Sequence, residues 1–176
     1  DHLQMQQIAD LIQDELHISV EIGGAEAEAA ILGALTTPGT TKPIAILDLG
    51  AGSTDASIIN QQDDIVAIHL AGAGDMVTMI INSELGLDDV YLAEDIKKYP
   101  LARVENLFQI RHEDGTVQFF EDPLPADIFA RTVVIKPDGY VPLPGNMNIE
   151  KVKQIRQTAK KRVFVENARR ALQHVS

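Results

Sequence analysis

Cysteine is absent from the 176 residues. That excludes disulfides, thiolate metal sites and cysteine nucleophiles, and it fits a reducing compartment. No stretch approaches the roughly 20 consecutive apolar residues that a membrane helix needs. The opening Asp1-His2-Leu3-Gln4 lacks a basic region followed by an apolar one, so no signal peptide is read there. The expected location is cytoplasmic, with no membrane partner. The five histidines are scattered, no two of them at i, i+4 on one helix face, which speaks against a zinc site. Repeats and low-complexity tracts are missing too. No initiator Met opens the chain and Ser176 follows directly on a helical pattern, so both ends are expected to be cuts inside a longer protein.

Positive charge is scarce over most of the chain. Residues 1–150 hold 25 acidic and 7 basic residues, a balance of −18, whereas residues 151–176 hold 8 basic and 1 acidic. The acidic body would repel nucleic-acid phosphates, so no nucleic-acid partner is expected. Apolar residues at 45% and charged residues at 23% are ordinary for a globular protein with a real core.

Apolar spacing predicts an amphipathic helix over 3–16 (Leu3, Ile8, Leu11, Ile12, Leu16) and a short strand over Ile18, Val20 and Ile22. Residues 25–35 are Ala-rich and read as a packed helix. Strands follow at 44–47, 54–60 and 65–70. A helix then carries Met76, Met79, Ile80 and Leu85, with the methionines expected in the core. Another helix over 91–99 stops before Pro100. Further strands are read at 107–111, 118–120 and 131–136, with His112-Glu113-Asp114-Gly115 as a hairpin turn. Asn148 caps a long final helix through residue 175, with Ile149, Val152, Ile155, Val163, Ala168 and Leu172 on its apolar face.

The segment with the most chemistry is Asp48-Leu49-Gly50-Ala51-Gly52-Ser53-Thr54-Asp55. An apolar strand delivers Asp48 to its end. Two glycines allow a turn whose backbone N–H groups can converge on an anion. Ser53 and Thr54 add hydroxyls, and Asp55 returns on the next strand. Two carboxylates beside a phosphate cradle repel phosphate unless a cation lies between them, so the pattern implies Mg²⁺ on Asp48 and Asp55. The same carboxylates are candidates to orient an attacking water, and so are the catalytic candidates. A second Gly-rich turn, Gly72-Ala73-Gly74, opens a helix, and helix N-termini attract anions. Gly50, Ala51, Gly52, Ser53, Thr54, Gly72 and Gly74 are therefore the candidate cofactor-binding residues. A plain β-hairpin with Gly for turn geometry is the competing reading.

At these residues the chain resembles the actin, sugar kinase and heat-shock chaperone ATPase superfamily, whose second phosphate motif Asp48 to Asp55 matches. The resemblance implies an α/β fold: a ribonuclease-H-like, actin-like ATPase subdomain with a mixed sheet flanked by helices, present as an incomplete fragment. ATP would lie in a cleft facing a missing partner subdomain. Residues 1–176 then form a partial actin-like ATPase domain, with core 18–146 and basic C-terminal helix 148–175. The Ala-rich helix resembles the superfamily's connecting helix, ending at Gly33. Where the chaperones place a catalytic Glu, nine residues before that Gly, this chain has Gly24; Glu26 and Glu28 are near but out of register.

Longer stretches resemble one family more closely: the large subunit of the reactivating factor for adenosylcobalamin-dependent diol and glycerol dehydratases. They include Gly24 to Ala30 and on to Gly39, the Asp48 motif, Leu70 to Thr78, Lys98 to Ala102, Ile110 to Phe120, and Lys160 to Phe164. The resemblance implies an ATP- and Mg²⁺-dependent chaperone with weak ATPase activity. It would loosen a diol or glycerol dehydratase so that damaged cobalamin leaves, and it would work with a small subunit. The first phosphate motif and the Gly-Gly adenosine motif of the superfamily lie outside this chain, so the isolated chain is expected to bind ATP weakly or not at all. Two alternatives in the same superfamily are a small-molecule kinase and a filament-forming scaffold. The basic runs Lys160-Lys161-Arg162 and Arg169-Arg170 read first as a solvated helix face. The chaperone resemblance adds an approach to adenine.

Overall fold

The computed structural model describes residues 2–23 and 26–175. Helix α1 (His2–Leu16) and helix α2 (Glu26–Leu35) precede a three-stranded sheet of β1 (Ile44–Leu49), β2 (Ser53–Ile59) and β3 (Ile65–Ala71). Helices α3 (Gly74–Leu85) and α4 (Val90–Lys98) lead into a five-stranded sheet. Its strands are β4 (Leu101–Asn106), β5 (Gln109–His112), β6 (Val117–Phe119), β7 (Thr132–Lys136) and β8 (Gly139–Pro142), in the order β6-β5-β4-β7-β8. Helix α5 (Ile149–Lys160), a π segment (Lys161–Val165) and helix α6 (Glu166–Val175) follow.

Helices flank sheets, as expected, but there are two sheets and every pairing within them is antiparallel. The short loops explain this. Parallel neighbours need a crossover of a dozen or more residues, whereas β1–β2, β2–β3, β4–β5, β5–β6 and β7–β8 are joined by short turns; β7 reaches β4 through the longer segment 120–131. The β2–β3 turn is closed by Asn60, whose side-chain oxygen accepts from the Gln62 and Asp64 N–H groups.

Helix ends carry local signals. Asp89 caps α4 by accepting from Tyr91 and Leu92 N–H, and Gly86 closes α3 in the left-handed conformation. Asn148 caps α5 as expected, accepting from Glu150 and Lys151 N–H.

The main core lies between α3, α4, α5 and one face of the larger sheet, and includes Val77, Ile81, Ile96, Leu101, Val134 and Val152. The other face of that sheet buries Ala102, Val104, Ile110 and Val133 against Leu124 and Ile128. A third cluster joins α6, through Ala171 and Val175, to Ala56 and the same-face side chains Leu47, Ile58, Ile68 and Leu70.

Four expectations are corrected. Ile18 to Ile22 is not a strand, since no ladder partner reaches it among the described residues. Met76 and Met79 are exposed; the buried face of α3 is Gly74, Val77, Thr78 and Ile81. Strand β4 passed unnoticed in the sequence although it is the central strand of its sheet. The final helix is not uniform: its buried residues are Val152, Ala159, Val163, Asn167, Ala171 and Val175, not Ala168 and Leu172. From Ala159 onward they recur every four residues. In a plain 3.6-residue helix such a stripe drifts about 40° per step, and the wider π turn offsets part of that drift.

Candidate functional site

Asp48 and Asp55 are direct partners in the β1–β2 ladder. Asp55 is also the partner of His69 in the β2–β3 ladder. Side chains alternate between the faces of a strand, so all three stand in one row on one face. The Asp55 carboxylate is held at both oxygens: Ser53 Oγ donates to Oδ2 at 2.8 Å, and His69 Nδ1 lies 2.5 Å from Oδ1. A cavity of about 290 Å³ borders this row, lined also by Glu26 and Ala30 of α2 and by Ile46 and Ala67. Gly24 lies outside the described residues. Glu26, out of register in sequence, still brings a carboxylate to this cavity.

Next to the row, two turns are joined back to back. Gly74 N–H donates to the Gly50 carbonyl (3.1 Å), Asp75 N–H to the Ala51 carbonyl (2.8 Å) and Gly72 N–H to the Gly52 carbonyl (2.8 Å). Three successive carbonyls of the first turn therefore face the second turn. In a trans peptide the N–H points opposite to the carbonyl of the same unit. The N–H groups of Ala51 and Gly52 are thus directed away from the second turn, and no backbone acceptor for them occurs among the described residues. A turn with N–H groups on one side and its carbonyl dipoles turned inward has the form of an anion cradle.

The predicted residues consequently divide. Asp48, Gly50, Ala51 and Gly52 are exposed, with Ser53 and Asp55 half-buried beside them. Thr54 is fully buried on the opposite sheet face, its hydroxyl donating to the Gly72 carbonyl at 3.0 Å. Gly72 and Gly74 are buried, and their N–H groups serve the first turn. The N-terminus of α3, expected as a second anion site, directs its Gly74 and Asp75 N–H groups at protein carbonyls instead. Gly72 sits at φ +94°, where glycine is favoured, and a Cβ on Gly74 would approach the Gly50 oxygen to 3.3 Å.

Residues from distant parts of the chain hold the second turn. Asn167 Nδ2 donates to the Gly72 carbonyl at 2.6 Å and to the Ala71 carbonyl at 3.3 Å. Lys97 Nζ donates to the Gly74 carbonyl at 3.0 Å and pairs with Glu94 at 2.6 Å. Thr78 Oγ1 lies 3.1 Å from the same Gly74 carbonyl and also against the Glu94 carboxylate, its single proton shared between these two acceptors. Burial pushes the Glu94 carboxyl up, but hydrogen bonds from Lys97, Lys98 and Thr78 outweigh it and hold its pKa down at about 2. The sequence reading missed His69, Lys97 and Asn167. For the last two no local signal exists, since Lys97 stands 23 residues from Gly74 and Asn167 stands 95 from Gly72. His69 was legible in principle from its period-two offset before the second turn.

No group of three or more His, Cys, Asp or Glu side chains among the described residues forms a metal cage. The Asp48–Asp55 pair still fits Mg²⁺. That ion keeps several waters and takes only one or two carboxylates together with substrate phosphates, and here the pair adjoins an anion cradle.

The family described as "Diol dehydratase reactivase ATPase-like domain" matches residues 1–176. The chain belongs to this family. It is 70% identical over 176 residues to the propanediol dehydratase-reactivating factor large subunits of Salmonella typhimurium and Citrobacter freundii. It is likewise 70% identical to the diol dehydratase-reactivating factor large subunit of Klebsiella michiganensis. All of this chain is covered, but it spans 29% of the length of each relative. Among solved structures, a diol dehydratase-reactivating factor in nucleotide-free form matches with TM-score 0.90 and 70% identity, over 98% of this chain and 29% of that one. A glycerol dehydratase reactivase matches with TM-score 0.92 and 55% identity, over 100% of this chain and 29% of that one. The reactivase fold expected from the resemblance is the fold observed. Among the described residues, no helix is long and apolar enough to cross a membrane.

Proposed function

We propose that this chain is the phosphate-binding part of a cytoplasmic, ATP-dependent chaperone subunit. The protein would reactivate an adenosylcobalamin-dependent diol or glycerol dehydratase by releasing damaged cobalamin. Residues 1–176 form part of its actin-like ATPase domain, and the partners are a small subunit and the dehydratase. The observation that carries the reading is the turn of Gly50 to Gly52. Its carbonyls are capped by Gly72, Gly74 and Asp75, and its N–H groups are directed outward beside two opposed aspartates.

The geometry supports a role for each residue. Ala51 and Gly52 N–H groups bind phosphate oxygens of ATP, with Gly50 shaping the turn and Ser53 holding Asp55. Thr54, Gly72 and Gly74 support the cradle from behind. Asp48 and Asp55 would hold Mg²⁺, which when bound would neutralise phosphate charge. Asp48, Asp55 and Glu26 border the cavity and are the carboxylates available to orient a water for slow hydrolysis. The ATP energy reaches the client only if its affinity for the chaperone differs between nucleotide states.

The test is reactivation by the full-length protein and its small subunit. They are mixed with glycerol-inactivated dehydratase, ATP, Mg²⁺ and fresh adenosylcobalamin, with Asp55→Asn in parallel. Return of activity with the native protein and not with the variant supports the reading. No return with either removes the dehydratase as client.

A further inference from the structure

Behind the cradle, at the Gly74 carbonyl, lies one cation that the roles above do not use. Lys97 belongs to α4, the helix that feeds β4, the central strand of the larger sheet. Its side chain is only 11% exposed. A lysine so enclosed loses much of its hydration, so its position requires compensating partners. It has two, the Gly74 carbonyl and the Glu94 carboxylate. Gly74 is itself the residue whose N–H meets the Gly50 carbonyl. A Cβ built there would lie 3.4 Å from Lys97 Nζ and 3.6 Å from Ala51 Cα. Ammonium, second turn and first turn are thus stacked in direct contact.

We propose that Lys97 is a positioning residue for phosphate binding. Its ammonium draws the Gly74 carbonyl down toward α4. That leaves the Asp75 N–H, the other half of the same peptide unit, aimed at the Ala51 carbonyl. The first turn then keeps its carbonyls inward and its Ala51 and Gly52 N–H groups outward. Thr78 offers the same carbonyl a neutral donor whose one proton it shares with Glu94, and Glu94 fixes the ammonium. Neither replaces the charge-assisted bond, which is about twice as strong as a neutral one. Lys97 touches no substrate in this account; it acts through Gly74. The proposal rests on the phosphate-binding reading of the turn and extends it.

The experiment measures ATP and adenosine affinity by titration calorimetry on the full-length protein with Mg²⁺, for native, Lys97→Met and Lys97→Arg forms, with thermal unfolding alongside. The expected result is about tenfold weaker ATP binding by Lys97→Met, adenosine binding unchanged, and return to within about threefold by Lys97→Arg. A purely structural lysine would weaken both ligands together or lower only the unfolding temperature, and either result overturns the proposal. So does native-like ATP binding by Lys97→Met. If Lys97→Met does not fold, Lys97→Gln is read in the same way. A native protein that binds no ATP overturns the phosphate-binding reading and this proposal with it. Native binding that Lys97→Met leaves unchanged overturns this proposal alone.

Discussion

Asn167 donates to the Gly72 carbonyl at 2.6 Å across 95 residues of sequence. The bond fastens the first turn of α6 to the turn that backs the cradle. Asn167 lies four residues from Val163 and from Ala171 on the buried stripe, and the π segment just before it helps keep that stripe facing inward. The Gly72 carbonyl also accepts from Thr54, so the two donors share it.

Asn167→Leu should therefore leave a buried carbonyl with one donor fewer and destabilise the protein by about 1–3 kcal/mol. Denaturant unfolding of the full-length protein measures this. Asn167→Asp should be worse than Asn167→Leu, since it places a carboxylate against two carbonyl oxygens.

Gly74 tolerates no side chain without displacement of the first turn. Its added Cβ meets backbone, the Gly50 oxygen at 3.3 Å, rather than the end of a flexible chain. Gly74→Ala is expected to weaken ATP binding several-fold while costing about 1–2 kcal/mol of stability. At Gly72 the nearest atom is the Met76 methyl, which can move, but φ is +94°. There the cost is conformational, about 1 kcal/mol. Paired titrations and melts of the two variants separate the cases: the loss of ATP affinity should be greater in Gly74→Ala.

The pKa of Glu94 gives a pH prediction with a definite sign. Folding lowers it from the ordinary 4.5 to about 2. A depressed acid stabilises the folded state above its unfolded pKa, and that contribution disappears as pH falls from about 4.5 to about 2. Its side chain is 28% exposed, so solvent screening limits the effect to about 1–2 kcal/mol. Native protein should lose more stability over that pH window than Glu94→Gln does. Parallel slopes for the two proteins would show that the network contributes nothing.

How far the sequence reveals this site depends on the range of the interactions. The hairpin of Asp48 and Asp55 is local, and its glycines, flanking apolar strands and paired carboxylates were all readable. The back-to-back union of the two turns was not, because it depends on three strands aligning. Gly72 and Gly74, expected to bind phosphate, direct their N–H groups at the carbonyls of the first turn. β4 was missed because Leu101-Ala102-Arg103-Val104 is short and buried on both faces, without the alternation of a half-exposed strand. The final helix was read with the right cap and the wrong stripe, since one π turn shifts every later residue around the axis.

Arg156 offers the sharpest stability prediction. Its guanidinium, 12% exposed, donates to the Tyr99 carbonyl at 3.0 Å and the Ile96 carbonyl at 3.3 Å, and it pairs with Glu113. One side chain of α5 thus ties the end of α4 to the β5–β6 turn. The planar fork serves three acceptors at once, which an ammonium cannot reproduce from the same place. Arg156→Met removes the partner of a carboxylate that is itself mostly enclosed, so the loss should reach about 3–5 kcal/mol. Arg156→Lys should recover only a minor part. Adding Glu113→Gln to Arg156→Met should recover more, because the stranded charge is then gone. A double variant no more stable than Arg156→Met alone would locate the cost in the two lost carbonyl bonds rather than in the ion pair, and urea unfolding of the three proteins distinguishes these outcomes.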